Sequence, residues 1–372
     1  MSELDTIYLN HAGTSWPKPA PVSEAATDVL QQSAEDWPGL FEQLHTAVAD
    51  FFHVAPPRLL LTPSCTAALD LAVMDHPWRS GDCVLTSHFE HHALHRHLVK
   101  LQRLGVDTRA LRPAGDELID LKQLEAELKS TDVRLLAITA ACNVTGRLLP
   151  MAEAIELAHQ HGTLVLIDGA QIAGWWDLDV TALGADLFTF AGHKGPQAPW
   201  GIGGLYVAPH VEMNCPAAAC ELSGSETAAA CAVMPGYCDA GSVNLAALAG
   251  LAAGCDWLSA PAQQHRLQHA RDLAEEFANS VRCVSGVVIH HDVDMNLKMP
   301  TVTITVDDIQ SAELALWLRQ KSVIISGGFQ CAPQAHHALG TSRTGVLRFS
   351  FGPHSTAHDV ARALKALEEA IR

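Results

Sequence analysis

Continuously apolar runs alternate with amphipathic segments from Arg58 to about Pro209. A strand buried on both faces is apolar throughout, whereas a strand with one solvated face alternates. Helical segments between such strands are typical of a parallel sheet, because each parallel connection crosses over the sheet. The pattern predicts a mainly parallel sheet covered by helices on both faces, with strands in "RLLLT", "CVLTS", "VRLLAITA", "TLVLIDGA", "DLFTF" and "GIGGLYV".

Beyond Pro209 the pattern changes twice. Residues 209–244 are rich in Ala, Cys, Gly and Ser and have poor periodicity, which indicates loops at a surface or an interface. Helices are predicted over 245–258 and 261–281, the second with Pro261 in its first turn, where a missing N–H costs nothing. Alternating strand and helix patterns then run to a last helix from Thr356 and predict a compact α+β lobe. A chain of 372 residues is long enough for two lobes.

Composition narrows the class of protein. The formal net charge is −17 with only 24 Lys and Arg residues, which argues against nucleic acid as a partner, because phosphate binding depends on basic side chains. No run approaches the ~18 apolar residues of a membrane span, and the acidic first residues are unlike a signal peptide. The ten cysteines are scattered, which predicts reduced thiols. We therefore expect a cytoplasmic protein without a membrane partner.

Two polar side chains follow separate apolar strands. Asp168 ends "LVLID", and Lys194 follows "FTFAGH". Taken singly, Asp168 is better explained as a helix N-cap and Lys194 as a surface lysine. Together they fit pyridoxal phosphate (PLP), which needs a lysine that forms an imine with its aldehyde and a carboxylate on its pyridinium nitrogen. Ligands of open α/β sheets bind at the carboxyl ends of strands, where Asp168 is predicted to lie.

Three further segments offer groups that PLP or an amino acid requires. Ser64, Cys65 and Thr66 lie between a predicted strand and helix, where free N–H groups bind phosphate, although a plain N-cap is equally consistent. Five histidines in "HFEHHALHRH" suggest a metal site, but no carboxylate completes the set, and an imidazole after a strand can stack on a cofactor ring instead. Arg348 lies within an apolar strand and needs either an acidic partner or a substrate carboxylate.

Cys331 lies in "GGFQCAP", between a pair of glycines and a proline. A free cysteine is most often buried, so the residue in isolation favours a core side chain. The glycines give the segment conformational freedom, and the strand that contains Arg348 follows it. These features favour a nucleophile on a short loop.

The motifs occur in the order found in class V PLP-dependent enzymes, and the chain most resembles the cysteine desulfurase and selenocysteine lyase branch. The resemblance covers nearly the whole chain. It implies PLP fold-type I, an α/β fold with a mainly parallel seven-stranded sheet between helices in a large domain over 15–255. A smaller α+β domain would comprise 1–14 and 256–372. A homodimer with active sites at the subunit interface is also implied. The segments that carry the resemblance are "IYLNHAGTSWPKP", "SHFEHHA", "CNVTGRLLPM", "LIDGAQ", "TFAGHKG", "GIGGLYV", "AGSVN" and "GGFQCAPQAHHALGT" followed by "GVLRFSFGPHST".

The resemblance also implies roles for individual residues. Lys194 binds PLP as an imine and then transfers protons, Cys331 accepts sulfur, and His91 stacks on the cofactor ring. Asn143, which also belongs to the cofactor set, and Arg348 bind the substrate carboxylate. The remaining cofactor residues are Asp168 at the pyridinium nitrogen, Gln171 at the ring hydroxyl, Thr66, the Cys65 backbone and His193 at the phosphate, and Ser242 at the phosphate of the other protomer.

The implied reaction removes sulfur from L-cysteine as a persulfide on Cys331 and releases L-alanine, with a sulfur-acceptor protein as a further partner. The alternatives are a PLP-dependent C–S lyase, selenocysteine lyase or aminotransferase in which Cys331 is incidental, and a histidine-rich metal-binding or scaffold protein on a decayed PLP fold. The sequence departs from the family pattern at Ser326, where many desulfurases have arginine, and at Ala191, where a hydroxyl residue is common. Further departures are Pro63 and Cys65 in the phosphate turn and "NHAG" near the N-terminus.

Overall fold

The computed structural model describes residues 6–211, 213, 243–307 and 309–371. Its strands, in chain order, are β1 (Ile7–Tyr8), β2 (Leu59–Thr62), β3 (Cys83–Ser87), β4 (Asp107–Leu111), β5 (Val133–Thr139), β6 (Leu164–Asp168), β7 (Leu187–Ala191), β8 (Gly203–Val207), β9 (Val287–Ile289), β10 (Thr301–Val306), β11 (Val323–Ile324), β12 (Ser326–Gly328) and β13 (Val346–Ser350). Its α-helices are α1 (Ala20–Asp28), α2 (Trp37–Phe51), α3 (Cys65–Met74), α4 (His92–Arg103), α5 (Leu121–Ser130), α6 (Met151–Gln160), α7 (Val180–Leu183), α8 (Leu245–Ser259), α9 (Arg266–Val281), α10 (Ser311–Gln320), α11 (Pro333–Ala338) and α12 (Ala357–Ile371).

Seven strands form the central sheet, in the order β2-β8-β7-β6-β5-β3-β4. The pairs β7-β6, β6-β5, β5-β3 and β3-β4 are parallel, and β8 is antiparallel to both β7 and β2. The strand β8 reverses direction because its connection from β7 contains no crossover helix. The prediction of a mainly parallel, seven-stranded sheet is confirmed.

Burial on both faces of this sheet explains the continuous apolar runs. Every residue of β2, β3, β7 and β8 is buried. The helix α4 instead buries one stripe, which contains Ala93, Leu94, Leu98 and Leu101, as the helical period requires. The helix α8 packs against α1 and α2 and is buried on most of its surface, so its sequence is apolar nearly all round.

A second sheet of four antiparallel strands, in the order β12-β13-β10-β9, lies in the C-terminal part of the chain. The N-terminal strand β1 pairs with β11 beside it, in parallel. The N-terminal segment and the C-terminal α+β part are therefore held together by backbone hydrogen bonds. The domain boundaries at 15–255, and at 1–14 with 256–372, stay a prediction.

The predicted start of the helix over 261–281 is wrong. Pro261 begins a separate 3-10 turn over Pro261–Gln263, and α9 begins only at Arg266. A residue before proline disfavours the helical region, and Ala260 accordingly is extended (φ −61°, ψ 142°) and ends α8.

No single helix in the described part of the chain has both the length and the apolar composition to cross a membrane; the bent pair formed by α8 and 261–281 meets that test by length and composition only. Most of the predicted loop segment 209–244 lies outside the described residues.

Candidate active site

The sheet brings the predicted site residues to one edge, at the carboxyl ends of its parallel strands. Such an edge is where open α/β sheets bind ligands, because each strand ends there in a loop that can carry polar groups. The groups that follow strands of the central sheet are Cys65 and Thr66 after β2, His91 after β3, Asn143 after β5, Asp168 at the end of β6, and His193 and Lys194 after β7.

Lys194 is partly buried in the recess at this edge. Desolvation lowers the pKa of its amine, and the nearby Asp168 carboxylate opposes that shift. The described residues give the amine no hydrogen bond. A desolvated lysine with a free amine more readily reaches the neutral form that attacks an aldehyde.

Asp168 is 3% exposed at the end of β6. Its Oδ1 accepts hydrogen bonds from the Ala170 backbone N–H (3.0 Å) and the Cys65 thiol (3.6 Å). The Cys65 sulfur also lies 3.5 Å from Oγ1 of Thr189. Burial raises the pKa of Cys65 and of Asp168, so the thiol stays protonated and donates to the carboxyl group. The Cys65 side chain thus supports Asp168, a contact that sequence reasoning did not predict.

The first turn of α3 offers backbone N–H groups to an anion. The Ser64 hydroxyl caps this helix by accepting from the Ala67 N–H at 3.2 Å. The N–H groups of Cys65 and Thr66 belong to the first helical turn, which lacks intrahelical acceptors, and Thr66 is exposed. This arrangement fits the predicted phosphate position. Ser242, predicted for the same group, lies outside the described residues.

The N-terminal segment packs against His193, the neighbour of Lys194 in the chain. The backbone carbonyl of His193 accepts from the Ser15 N–H (2.9 Å) and from Nζ of Lys18 (3.1 Å). Nδ1 of the His193 ring lies 3.0 Å from Oγ1 of Thr14. Burial and the charges of Lys194 and Lys18 lower the pKa of His193 to about 4. At neutral pH this imidazole can therefore give a phosphate a hydrogen bond but not a charge.

Gln171 lies close to the same N-terminal segment. Its Nε2 donates to the Ala12 carbonyl at 3.1 Å, and its side chain is 7% exposed. The contact fixes the orientation of the amide, to which the resemblance assigns the ring hydroxyl as a partner.

His91 is the N-cap of α4. Its Nδ1 accepts from the Ala93 N–H at 3.1 Å, which fixes the ring orientation and leaves Nε2 as the protonated nitrogen. Burial and the charge of Lys194 lower the pKa of His91 to about 4. A neutral, oriented imidazole near Lys194 suits stacking on an aromatic ring.

Among the described residues, no three or more His, Cys, Asp or Glu side chains group closely enough to hold a metal ion.

Arg348 is 4% exposed and has no ion pair with the described carboxylates. Its Nη1 donates to the Asn143 carbonyl (2.6 Å) and its Nη2 to Oδ1 of Asn10 (2.9 Å). Nε of Arg348 and Oδ1 of Asn143 are buried without a hydrogen-bond partner. Desolvation lowers the pKa of Arg348 to about 10. A buried cation without a counter-ion is costly, so this arrangement is suited to an incoming anion.

Cys331 is exposed. Its carbonyl accepts from the His92 N–H at 2.7 Å, which ties it to the start of α4 beside His91. A negative charge on Cys331 raises the pKa of both Lys194 and Arg348, so the thiol lies within electrostatic reach of both cations. The thiol therefore lies exposed on a short segment between β12 and α11, and its role as a nucleophile stays a prediction.

Several residues that complete the recess were missed at the level of sequence. Asn10, Thr14 and Thr189 contact predicted site residues. Their segments carry the family resemblance, but the sequence assigns none of the three a role. Glu90 lies buried beside His91, where its Oε1 accepts from the Ser87 hydroxyl (2.5 Å) and the Thr139 N–H (3.1 Å). Desolvation raises the pKa of Glu90 to about 8. The sequence offers one indication of this role, because Glu90 immediately precedes His91, the predicted stacking residue.

Comparison with known sequences relates the chain to one family. A family model described as Aminotransferase class-V matches residues 7–363. A probable cysteine desulfurase of Pseudomonas aeruginosa is 31% identical over 346 residues, which cover 89% of this chain and 82% of that protein. A probable cysteine desulfurase of Methanothermobacter thermautotrophicus is 26% identical over 382 residues and covers 98% of this chain and 94% of that protein.

Solved structures show the same architecture. The apo structure of a cysteine desulfurase from Thermococcus onnurineus has a TM-score of 0.87 at 23% identity, covering 99% of this chain and 95% of that one, and supports the fold alone. A cysteine desulfurase from Escherichia coli, in an S-sulfonic acid form, has a TM-score of 0.85 at 25% identity and covers 100% of this chain and 96% of that one. The predicted family resemblance and fold class are confirmed.

Proposed function

Because the chain belongs to the class-V aminotransferase family, we propose that it is a PLP-dependent cysteine desulfurase that moves the sulfur of L-cysteine to Cys331 and releases L-alanine. One observation carries the proposal: an exposed thiol at Cys331 is tied to the start of α4 beside His91 and lies within electrostatic reach of Lys194 and Arg348. The alternatives, a lyase or an aminotransferase, assign no step of their reactions to this thiol.

The residues of the recess fit PLP. Lys194 offers a free, desolvated amine to the aldehyde, and Asp168 offers a buried carboxyl group to the pyridine nitrogen. His91 would stack on the ring, Gln171 would bond its hydroxyl, and the Cys65 and Thr66 N–H groups with His193 would hold the phosphate. When bound, PLP supplies an electron sink that weakens the bonds at the α-carbon of an amino acid.

Arg348 and Asn143 would bind the carboxylate of L-cysteine. The free Nε of Arg348 supplies a charge-assisted donor, and the Asn143 amide can turn from its present acceptor toward the same anion. Lys194 would remove the α-proton and later return a proton to the β-carbon, because burial lowers the pKa of its amine and so favours the neutral form that accepts a proton.

Sulfur transfer at Cys331 balances without another oxidant. The Cys331 thiolate attacks the sulfur of L-cysteine, an S–S bond forms, and the C–S bond breaks. The β-carbon gains a proton as it becomes the methyl group of alanine, so carbon is reduced while sulfur is oxidised. Cys331 is left as a persulfide, which an acceptor thiol removes.

The test measures alanine and sulfide together after the PLP-loaded protein is mixed with L-cysteine and a reductant. We expect equal amounts of both products from the wild type and from Cys283→Ser, a matched change at another exposed cysteine, and none from Cys331→Ser. Sulfide with pyruvate, unaffected by Cys331→Ser, would instead establish β-elimination and make Cys331 incidental. Absence of product with PLP bound would move the substrate to another amino acid, such as selenocysteine.

We further propose a homodimer in which Ser242 reaches the phosphate of the second protomer, and a sulfur-acceptor protein in the cytoplasm as partner. The dimer is supported by the family alone. Native mass spectrometry tests the dimer, and a higher dissociation constant for PLP in Ser242→Ala, with the dimer intact, tests the role of the serine.

A further inference from the structure

Given the proposed sulfur transfer to Cys331, on which this inference rests, we propose that Gln330 positions the Cys331 thiol by anchoring residues 328–331, the Cys331 segment, to the strand pair β12-β13. The segment has an unusual backbone. Gly328 has φ 107°, and the consecutive residues Gln330 and Cys331 have φ 40° and 55°. Left-handed conformations are unfavourable for non-glycine residues and persist only where neighbouring contacts hold them.

The Gln330 side chain provides such contacts on one side of the segment. Its Nε2 donates to the Val346 carbonyl at 3.1 Å and to Oγ of Ser326 at 3.4 Å. In the β12-β13 ladder Ser326 pairs with Arg348, and Gly328 pairs with Val346. The amide therefore spans the strand that leads into the segment and the strand that carries the predicted carboxylate-binding arginine.

The Gln330 and Cys331 carbonyls provide the contacts on the opposite side. The Gln330 carbonyl accepts from Nδ2 of Asn143 at 2.7 Å, and the Cys331 carbonyl accepts from the His92 N–H at 2.7 Å. These two bonds join the segment to the loop after β5 and to the start of α4. The Asn143 bond is lost when that amide turns to a substrate carboxylate, so the Gln330 side chain and the bond from the His92 N–H to the Cys331 carbonyl are the anchors that remain during the reaction.

The second acceptor of the Gln330 amide is the small side chain of Ser326. The small serine lies where many desulfurases have arginine, and it gives the glutamine amide both space and an acceptor. Oε1 of Gln330 is buried without a partner, a cost that a purely stabilising contact would avoid. The arrangement favours thiol position over stability, and a misplacement of about 1 Å at a reacting group can lower a rate about 100-fold.

The experiment compares Gln330→Ala and Gln330→Met, which keeps the side-chain length but lacks the donor, with Gln334→Ala as the matched control. The rate of Cys331 alkylation by iodoacetamide is measured in the holoenzyme without L-cysteine, by peptide mass spectrometry, as a ratio to the rate at exposed Cys283 in the same molecules. Alanine formation gives kcat and KM. Ser326→Ala, which removes the weaker acceptor, serves as a second and milder variant.

We expect both Gln330 variants to raise the alkylation ratio about three- to tenfold, the factor that one lost neutral hydrogen bond represents. They should lower kcat about tenfold with KM within about twofold, and Gln334→Ala should change neither. An unchanged ratio in Gln330→Ala, or a wild-type ratio and kcat in Gln330→Met, overturns the anchor. Alkylation needs no turnover, so the two proposals can fail separately. If the wild type forms no alanine but the Gln330 variants still raise the alkylation ratio, the proposed function is rejected and the anchor is retained.

Discussion

The replacement of Arg348 by lysine tests the carboxylate-binding proposal most directly. The guanidinium uses two diverging donors, Nη1 to the Asn143 carbonyl (2.6 Å) and Nη2 to Oδ1 of Asn10 (2.9 Å), with Nε left over. A lysine ammonium cannot reproduce this planar fork. At least one charge-assisted bond to the substrate carboxylate is lost, worth about 1.5–3 kcal/mol. We therefore expect kcat/KM for alanine formation to fall about 10- to 100-fold, mainly through KM.

The assay is alanine formation against L-cysteine concentration, with thermal unfolding measured in parallel. Arg271→Lys is the matched control, because Arg271 also donates two hydrogen bonds to oxygen acceptors, the Lys298 and Asn296 carbonyls, but away from the recess. Both variants should lower the melting temperature by a few degrees, since each leaves acceptors unsatisfied. Only Arg348→Lys should change KM. A KM within about twofold of the wild type in Arg348→Lys would refute the carboxylate-binding role.

Three other outcomes follow from the same site. Lys194→Ala should abolish both alanine formation and the borohydride-stable attachment of PLP that absorption and mass spectrometry detect, while the fold is kept. Asp168→Asn should keep the Cys65 and Ala170 contacts through its remaining oxygen but lower kcat about 100-fold or more, because a neutral amide does not hold a proton on the pyridine nitrogen; a wild-type kcat would contradict this role. His11 is 5% exposed, and burial lowers its pKa to about 3. As the pH falls, the unfolded state therefore binds a proton at this histidine before the folded state does. Relative to its value well above pH 6.5, the free energy of unfolding should be about 2 kcal/mol lower at pH 5. Denaturant unfolding of His11→Gln should show a weaker dependence on acid pH.

The sequence predicted the central sheet well because its signal is local. The runs that became β2, β3, β5, β6, β7 and β8 are apolar along their length, and burial on both faces requires that. The start of α9 was misplaced because Pro261 is as compatible with a 3-10 turn as with a helical first turn, and the choice depends on the bend after α8. Local pattern cannot determine such a bend.

For the candidate site, the sequence likewise identified residues but not the contacts between them. Asp168 and Lys194 were found from the sequence because each follows a strand of recognisable apolar character, and strand ends converge in this kind of sheet. The thiol bond from Cys65 to Asp168 was not found, since it depends on which way a side chain points at a helix start. Hydrogen-bond partners of this kind carry no periodic signal.

The fold class and the family follow from the amino-acid sequence alone, because apolar runs and the order of motifs are properties of the residue order. Two sets of contacts become visible only in the folded chain: Arg348 donates to both Asn10 and Asn143, and the Gln330 side chain donates to the Val346 carbonyl of β13. These contacts join residues far apart in the chain. Their geometry depends on the register of β12 with β13 and on the packing of the N-terminal segment, and both are fixed only when the whole chain has folded.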